Sequence, residues 1–154
     1  MTKPNIALFP GSFDPFTKGH ASIVEKALGL FDKVVIGIGE NAAEQYFYSL
    51  EDRKKFISRV YINQTRVEVV VYTGLTIEAC REHGAKFILR GLRNSADFGF
   101  ERNIAQMNHA MNPGVETVFL VTDPELSAIS STIIREIIKH GGNAKPFVPE
   151  GMLD

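Results

Sequence analysis

The sequence predicts an α/β fold, a single Rossmann-like, doubly wound domain built on a five-stranded parallel sheet. Three observations lead there. Short β-branched runs alternate with stretches of helical periodicity. Each run is nearly continuous in apolar residues, as strands covered on both faces require. The polar clusters follow the strands on one edge, whereas the opposite edge offers ordinary turns such as Gly84 to Lys86.

The strands read as Ile6 to Phe9, Val34 to Ile38, Val67 to Tyr72, Phe87 to Arg90 and Thr117 to Val121. The first helix reads from about His20 to Phe31, with Ile23, Val24, Ala27, Leu28 and Phe31 in one stripe. Ser49 opens the second, and Asp52 three residues on resembles a shortened capping box. The third runs from Thr76 to His83 and stops at Gly84. The fourth, Ser95 to Met111, is the longest, and the fifth, Thr132 to His140, ends in Gly141 and Gly142. With no internal repeat, low-complexity segment or linker in 154 residues, one domain over 1–154 is expected.

Composition narrows the function. A 44% hydrophobic content supports a proper core, and a net charge of −1 lacks the field that a general nucleic-acid binder needs. No apolar run has the length of a signal peptide or a bilayer span, so no membrane association is expected. The single cysteine, Cys80, cannot form an internal disulfide; it reads as a small buried hydrophobe, and the cytoplasm as the expected compartment. His83, His109 and His140 lack metal-ligand spacing, and His140 suits a helix C-terminus. Tyr46, Phe47 and Tyr48 read as residues that cover a substrate or pack between subunits, packing being the preferred reading, and Lys54 and Lys55 beside Arg59 as a solvated helix face.

The most informative stretch is residues 10–20, Pro-Gly-Ser-Phe-Asp-Pro-Phe-Thr-Lys-Gly-His, which ends an apolar strand and opens an amphipathic helix. Unpaired N–H groups and the positive dipole end at such a junction attract anions, and His20 would face whatever docks there. Ile129-Ser130-Ser131-Thr132 places hydroxyls at the start of another helix. In Arg90-Gly91-Leu92-Arg93, Arg90 ends a buried strand, where an unpaired guanidinium is costly unless an anion meets it. Arg93 could grip a second phosphate.

The stretches Gly-Ser-Phe-Asp-Pro-Phe-Thr-Lys-Gly-His, Arg90-Gly91-Leu92-Arg93 with Asp97-Phe98, and Ile129-Ser130-Ser131-Thr132 resemble phosphopantetheine adenylyltransferases, of the nucleotidylyltransferase superfamily. The resemblance spans almost the whole chain and implies transfer of AMP from ATP to 4′-phosphopantetheine, giving dephospho-coenzyme A and pyrophosphate. It further implies Mg²⁺ as cofactor, a homohexamer and a cytoplasmic enzyme. By matching position, Ser12, Phe13, His20, Gly91, Leu92, Arg93, Glu101 and the segment Leu126, Ser127, Ala128, Ile129, Ser130, Ser131 and Thr132 would contact ATP. Ser12, Thr76 and Arg90 would contact phosphopantetheine, with Thr73, Leu75, Met107 and Asn108 along its arm. His20 and Arg93 would be catalytic, stabilising charge on the α-phosphate; the attacking phosphate monoester, with a second pKa near ~6, needs no protein base.

Three departures accompany the resemblance. Glu44 stands where the family places a lysine at the substrate phosphates, and the loop from Gly39 to Asp52 holds no Lys or Arg, leaving Lys18 as one cation that could swing in. Gly99 replaces a frequent acid, and the chain stops at Asp154, before the final helix of many relatives. Two alternatives stay open: a cytidylyl- or nicotinamide-nucleotide adenylyltransferase sharing the same motifs, and a non-catalytic nucleotide sensor.

Overall fold

In the computed structural model, which describes residues 2–154, the chain alternates strand and helix from Ile6 onward. The elements are β1 (Ile6–Gly11), α1 (Lys18–Leu28), β2 (Lys33–Gly39), α2 (Leu50–Val60), β3 (Val67–Tyr72), α3 (Thr76–Glu82), β4 (Phe87–Leu92), α4 (Ser95–Met111), β5 (Glu116–Val121) and α5 (Ser131–Lys139). Short 3-10 turns cover Pro124–Leu126 and Lys145–Phe147. The five strands form one all-parallel sheet in the order β3-β2-β1-β4-β5, as the sequence predicts.

The winding direction reverses between β1 and β4, where ligands gather in such sheets. The register sharpens that point. β1 pairs with β2 along its whole length, Ile6 to Gly11, but with β4 only at Ala7↔Phe87 and Leu8↔Ile88. Beyond Leu8 the two strands therefore part, and the carboxyl edge of the sheet opens between Pro10 and Arg90.

Alternation along each strand divides the core between the two faces. Phe9, Val34, Ile36 and Leu89 pack with Ile23, Val24 and Ala27 of α1, Ile57 of α2 and Ile134 of α5. Leu8, Val35 and Ile88 pack with Ile77, Ala79 and Cys80 of α3, which makes Cys80 the buried hydrophobe its context predicts. Burial pushes its thiol pKa up to about 11, away from nucleophilic use. α4 lies against β4 and β5 with none of its residues fully buried.

Two details differ from the sequence reading. α1 starts at Lys18 and ends at Leu28, because Thr17 caps it and Gly29 closes it; Phe31 packs on Phe87 from outside the helix. Lys54 and Lys55 are solvated, but Arg59 is not: its Nη1 donates to the carbonyls of Met152 and Asp154, both at 2.8 Å, tying down the carboxyl-terminal segment.

Candidate active site

The loop after β1 is held rigidly. Phe13 sits at φ 49°, a left-handed conformation unfavourable for an aromatic residue, and surrounding contacts enforce it. Its ring meets Phe9, Phe16 and His20 edge-on at 5.3, 5.5 and 5.0 Å. Gly11 is required beneath it, since a Cβ there would lie 2.9 Å from Phe13 Cζ. From α5, Ser131 Oγ donates to the Pro15 carbonyl at 2.7 Å and Arg135 Nη1 to the Asp14 carbonyl at 2.8 Å. The Asp14 carboxylate, 4% exposed, accepts the main-chain N–H groups of Phe47 and Tyr48 at 2.7 and 2.8 Å.

His20 occupies the third helical position of α1 and completes a capping box in which imidazole replaces the usual Glu or Gln. Thr17 Oγ1 accepts the His20 N–H at 3.2 Å, and His20 Nδ1 accepts the Thr17 N–H at 3.0 Å. An Nδ1 that accepts a main-chain N–H carries no proton, so the neutral ring bears its hydrogen on Nε2. Desolvation, then the nearby Arg90 and Arg93 guanidinium charges, lower its pKa to about 3. The ring stacks on Phe16 at 5.3 Å. His20 is thus a fixed, uncharged hydrogen-bond donor at physiological pH.

Two cavities meet at the opening between β1 and β4. The first, of about 360 Å³, is lined by Glu40, Asn41, Glu44 and Tyr46 after β2, by Tyr72, Gly74 and Thr76 at β3–α3, and by Ile104, Ala105 and Asn108 of α4. The second, of about 330 Å³, is lined by Phe13, Thr17, His20, Gly91, Arg93, Asp97, Thr122 and Ile129 to Thr132. Pro10, Gly11, Ser12, Arg90 and Glu101 line both. Gly91 admits this geometry, since a Cβ there would meet Ile23 Cγ1 at 3.0 Å. Ser130 caps α5 through Oγ, which accepts the Ile133 N–H at 3.2 Å.

Most of the residues singled out from the sequence converge here. Ser12, Phe13, His20, Gly91, Arg93, Glu101, Ile129, Ser130, Ser131 and Thr132 line the second cavity, and Ser12, Glu44, Thr76, Arg90 and Asn108 the first. Leu92, Leu126, Ser127 and Ala128 line neither, although the Leu126 and Ile129 carbonyls approach Gly19 at the start of α1. Thr73, Leu75 and Met107 line neither; Leu75 and Met107 are 56% and 64% exposed, beside Gly74, Thr76 and Asn108 of the first cavity. Lys18 lines a separate cavity with Lys145 and the carboxyl-terminal residues, and no lysine lines either of the two joined cavities.

Arg90 departs from expectation in one respect. It is not an unpaired cation waiting for a ligand, because Glu101 already takes its Nε and Nη2 at 2.9 and 2.7 Å. Some lining residues carried no sequence signal. Thr122, 7% exposed, sits one residue past β5, and Tyr72 ends β3 with its hydroxyl 3.0 Å from Thr76 Oγ1. Burial raises the Tyr72 pKa, so it stays a phenol. Gly37 and Gly39 give it room, with would-be Cβ atoms 3.1 Å from its ring and 3.3 Å from its hydroxyl. Tyr46, read as packing, packs and also lines the first cavity.

The comparisons with known proteins agree with this geometry. The sequence pattern of the Cytidylyltransferase-like family matches residues 8–137. The chain is 49% identical to the phosphopantetheine adenylyltransferase of Flavobacterium psychrophilum over 95% of its own length and 96% of that protein's. It is 46% identical to that of Porphyromonas gingivalis over 98% of both. Among solved structures, a bifunctional NMN adenylyltransferase/ADP ribose pyrophosphatase from Francisella tularensis superposes with a TM-score of 0.74 over 96% of this chain. At 18% identity that likeness concerns the fold alone, and this chain spans 46% of that one. On sequence, fold and site together, the chain belongs to the phosphopantetheine adenylyltransferase family.

Proposed function

We propose that the chain transfers AMP from ATP to 4′-phosphopantetheine, releasing pyrophosphate and forming dephospho-coenzyme A, as one domain over residues 1–154. The observation that carries the reading is the junction of two cavities at Ser12 and Arg90, one bordered by two helix N-termini and His20, the other by a mixed polar and apolar wall. The second cavity suits a triphosphate, met by Arg93 and by the amino ends of α1 and α5. The first suits an elongated acceptor whose phosphate ends at Arg90.

The acceptor phosphate, largely dianionic at neutral pH, attacks the α-phosphorus as the bond to the leaving pyrophosphate breaks. No residue removes a proton. The protein contributes alignment, together with donors aimed at the charge that grows on the α-phosphate. The Nε2–H of His20 fills that role as a neutral donor, and its bond to Thr17 keeps the ring from turning.

Mg²⁺ would enter on the triphosphate. Among the described residues no three His, Cys, Asp or Glu side chains gather into a cage. The neighbouring carboxylates are engaged, Glu101 by Arg90 and Asp97 by the Arg93 N–H at 3.0 Å. Its ligands would be phosphate oxygens and water. Self-association is supported by the exposed apolar residues of α4, whereas the hexameric count and the cytoplasmic setting rest on the family resemblance. No helix among the described residues is long and apolar enough to cross a membrane.

The test is pyrophosphate release by the purified protein with ATP or CTP against 4′-phosphopantetheine or nicotinamide mononucleotide. Turnover confined to ATP with 4′-phosphopantetheine supports the reading. Preference for another pair assigns a sibling activity, and ATP binding without any turnover a sensor.

A further inference from the structure

Arg53, in the first turn of α2, is 1% exposed. Burying a guanidinium is costly unless its donors are met, and among the described residues no carboxylate pairs with it. Its partners belong instead to two different loops. Nε donates to the Tyr48 carbonyl at 3.1 Å and Nη1 to the Ser12 carbonyl at 2.9 Å, while the group lies over the Tyr46 ring, 4.0 Å from its centroid. The Tyr46 hydroxyl in turn accepts the Asn41 N–H at 2.9 Å.

Residues 41–48 form an irregular loop, and three of them, Asn41, Glu44 and Tyr46, line the first cavity but not the second. Within this loop, the hydrogen bonds that leave it reach two side chains, Asp14 and Arg53. Tyr48 is held at both main-chain groups, its N–H by Asp14 and its carbonyl by Arg53. An apolar side chain of similar volume would leave the Tyr48 and Ser12 carbonyls without these donors, so it is the guanidinium that joins the two loops.

We propose that Arg53 is a positioning residue that fastens the acceptor-side loop 41–48 to Ser12, and so sets the affinity for the acceptor without touching it. The inference rests on the assignment of the first cavity to 4′-phosphopantetheine. Arg53→Met keeps the volume and removes both donors. It is expected to raise the acceptor KM by about 10-fold or more, with the ATP KM and kcat within about threefold. Arg53→Lys, which keeps the charge and one donor, is expected to fall between wild type and Arg53→Met. Lys54→Met, on the exposed neighbour, is expected to leave all three constants alone.

Hydrogen exchange at the Phe47 and Tyr48 amides, expected to quicken about 10-fold in Arg53→Met, reads the loop independently of turnover. If wild type shows no adenylyl transfer, the functional assignment fails and exchange alone decides the role of Arg53. Unchanged KM values with unchanged exchange in a folded Arg53→Met variant overturn the proposal. Should that variant not fold, Arg53→Lys with wild-type acceptor KM and exchange overturns it instead.

Discussion

Arg90 and Glu101 close the opening between β1 and β4 with a two-pronged ion pair, while the third edge of the arginine reaches the Pro10 carbonyl at 2.7 Å. The guanidinium thus bridges two strands just where their ladder ends. Removing the arginine alone leaves a carboxylate, 12% exposed, facing both cavities. Arg90→Ala is therefore expected to raise the KM of both substrates by about 10-fold or more, and the double variant with Glu101→Gln to recover part of that loss. Steady-state kinetics on the four-protein cycle checks this; equal losses in the single and double variants would count against it.

The buried imidazole gives a signed pH dependence. His20 has a folded-state pKa of about 3 against an ordinary value of 6.5, so between these values the unfolded chain binds the extra proton. Its contribution to stability is fully present above pH 6.5 and is lost as pH falls toward 3. His20→Gln is expected to flatten the fall in unfolding free energy below pH 6.5, measured by denaturant titration at stepped pH. The same shift keeps the donor neutral through the assay range, so no rate limb from His20 is expected near pH 6.5.

Glu44 places a negative charge on the exposed rim of the first cavity, together with Glu40. Reversing it in Glu44→Lys is expected to lower the acceptor KM about two- to fivefold, more at low salt, because an exposed charge is screened. The ATP KM should stay put, since Glu44 does not line the second cavity. An unchanged acceptor KM at low ionic strength would place the residue outside the reach of the phosphate.

One helical stripe of α4 carries the exposed apolar residues Phe100, Ile104, Met107 and Met111, 69, 40, 64 and 50% exposed, of which Ile104 also lines the first cavity. If the stripe joins subunits, Phe100→Asp with Met111→Glu should reduce the mass found by sedimentation from that of a hexamer toward 17.1 kDa. A wild-type protein that sediments as a monomer would refute the hexamer.

Much of this was legible in the sequence, for identifiable reasons. The strands were, because sheets covered on both faces need unbroken apolar runs such as Val34 to Ile38. The convergence of His20, Arg93 and Ser130 to Thr132 on one cavity was, because helix starts that follow parallel strands gather on one edge of the sheet. Arg53 was hidden beside Lys54 and Lys55, since charge in a helix says nothing of which face is covered. The pairing of Arg90 with Glu101, 11 residues apart, depends on how α4 returns across β4, which no local pattern encodes.

Under the proposed function His20, besides capping α1, supplies an oriented neutral hydrogen bond to the reacting phosphate. Turnover by His20→Ala, with ATP affinity measured alongside by calorimetry, tests it most directly. A loss of about 10²- to 10³-fold in kcat with near-native ATP binding is the expected result, and a kcat within a few-fold of wild type would contradict it.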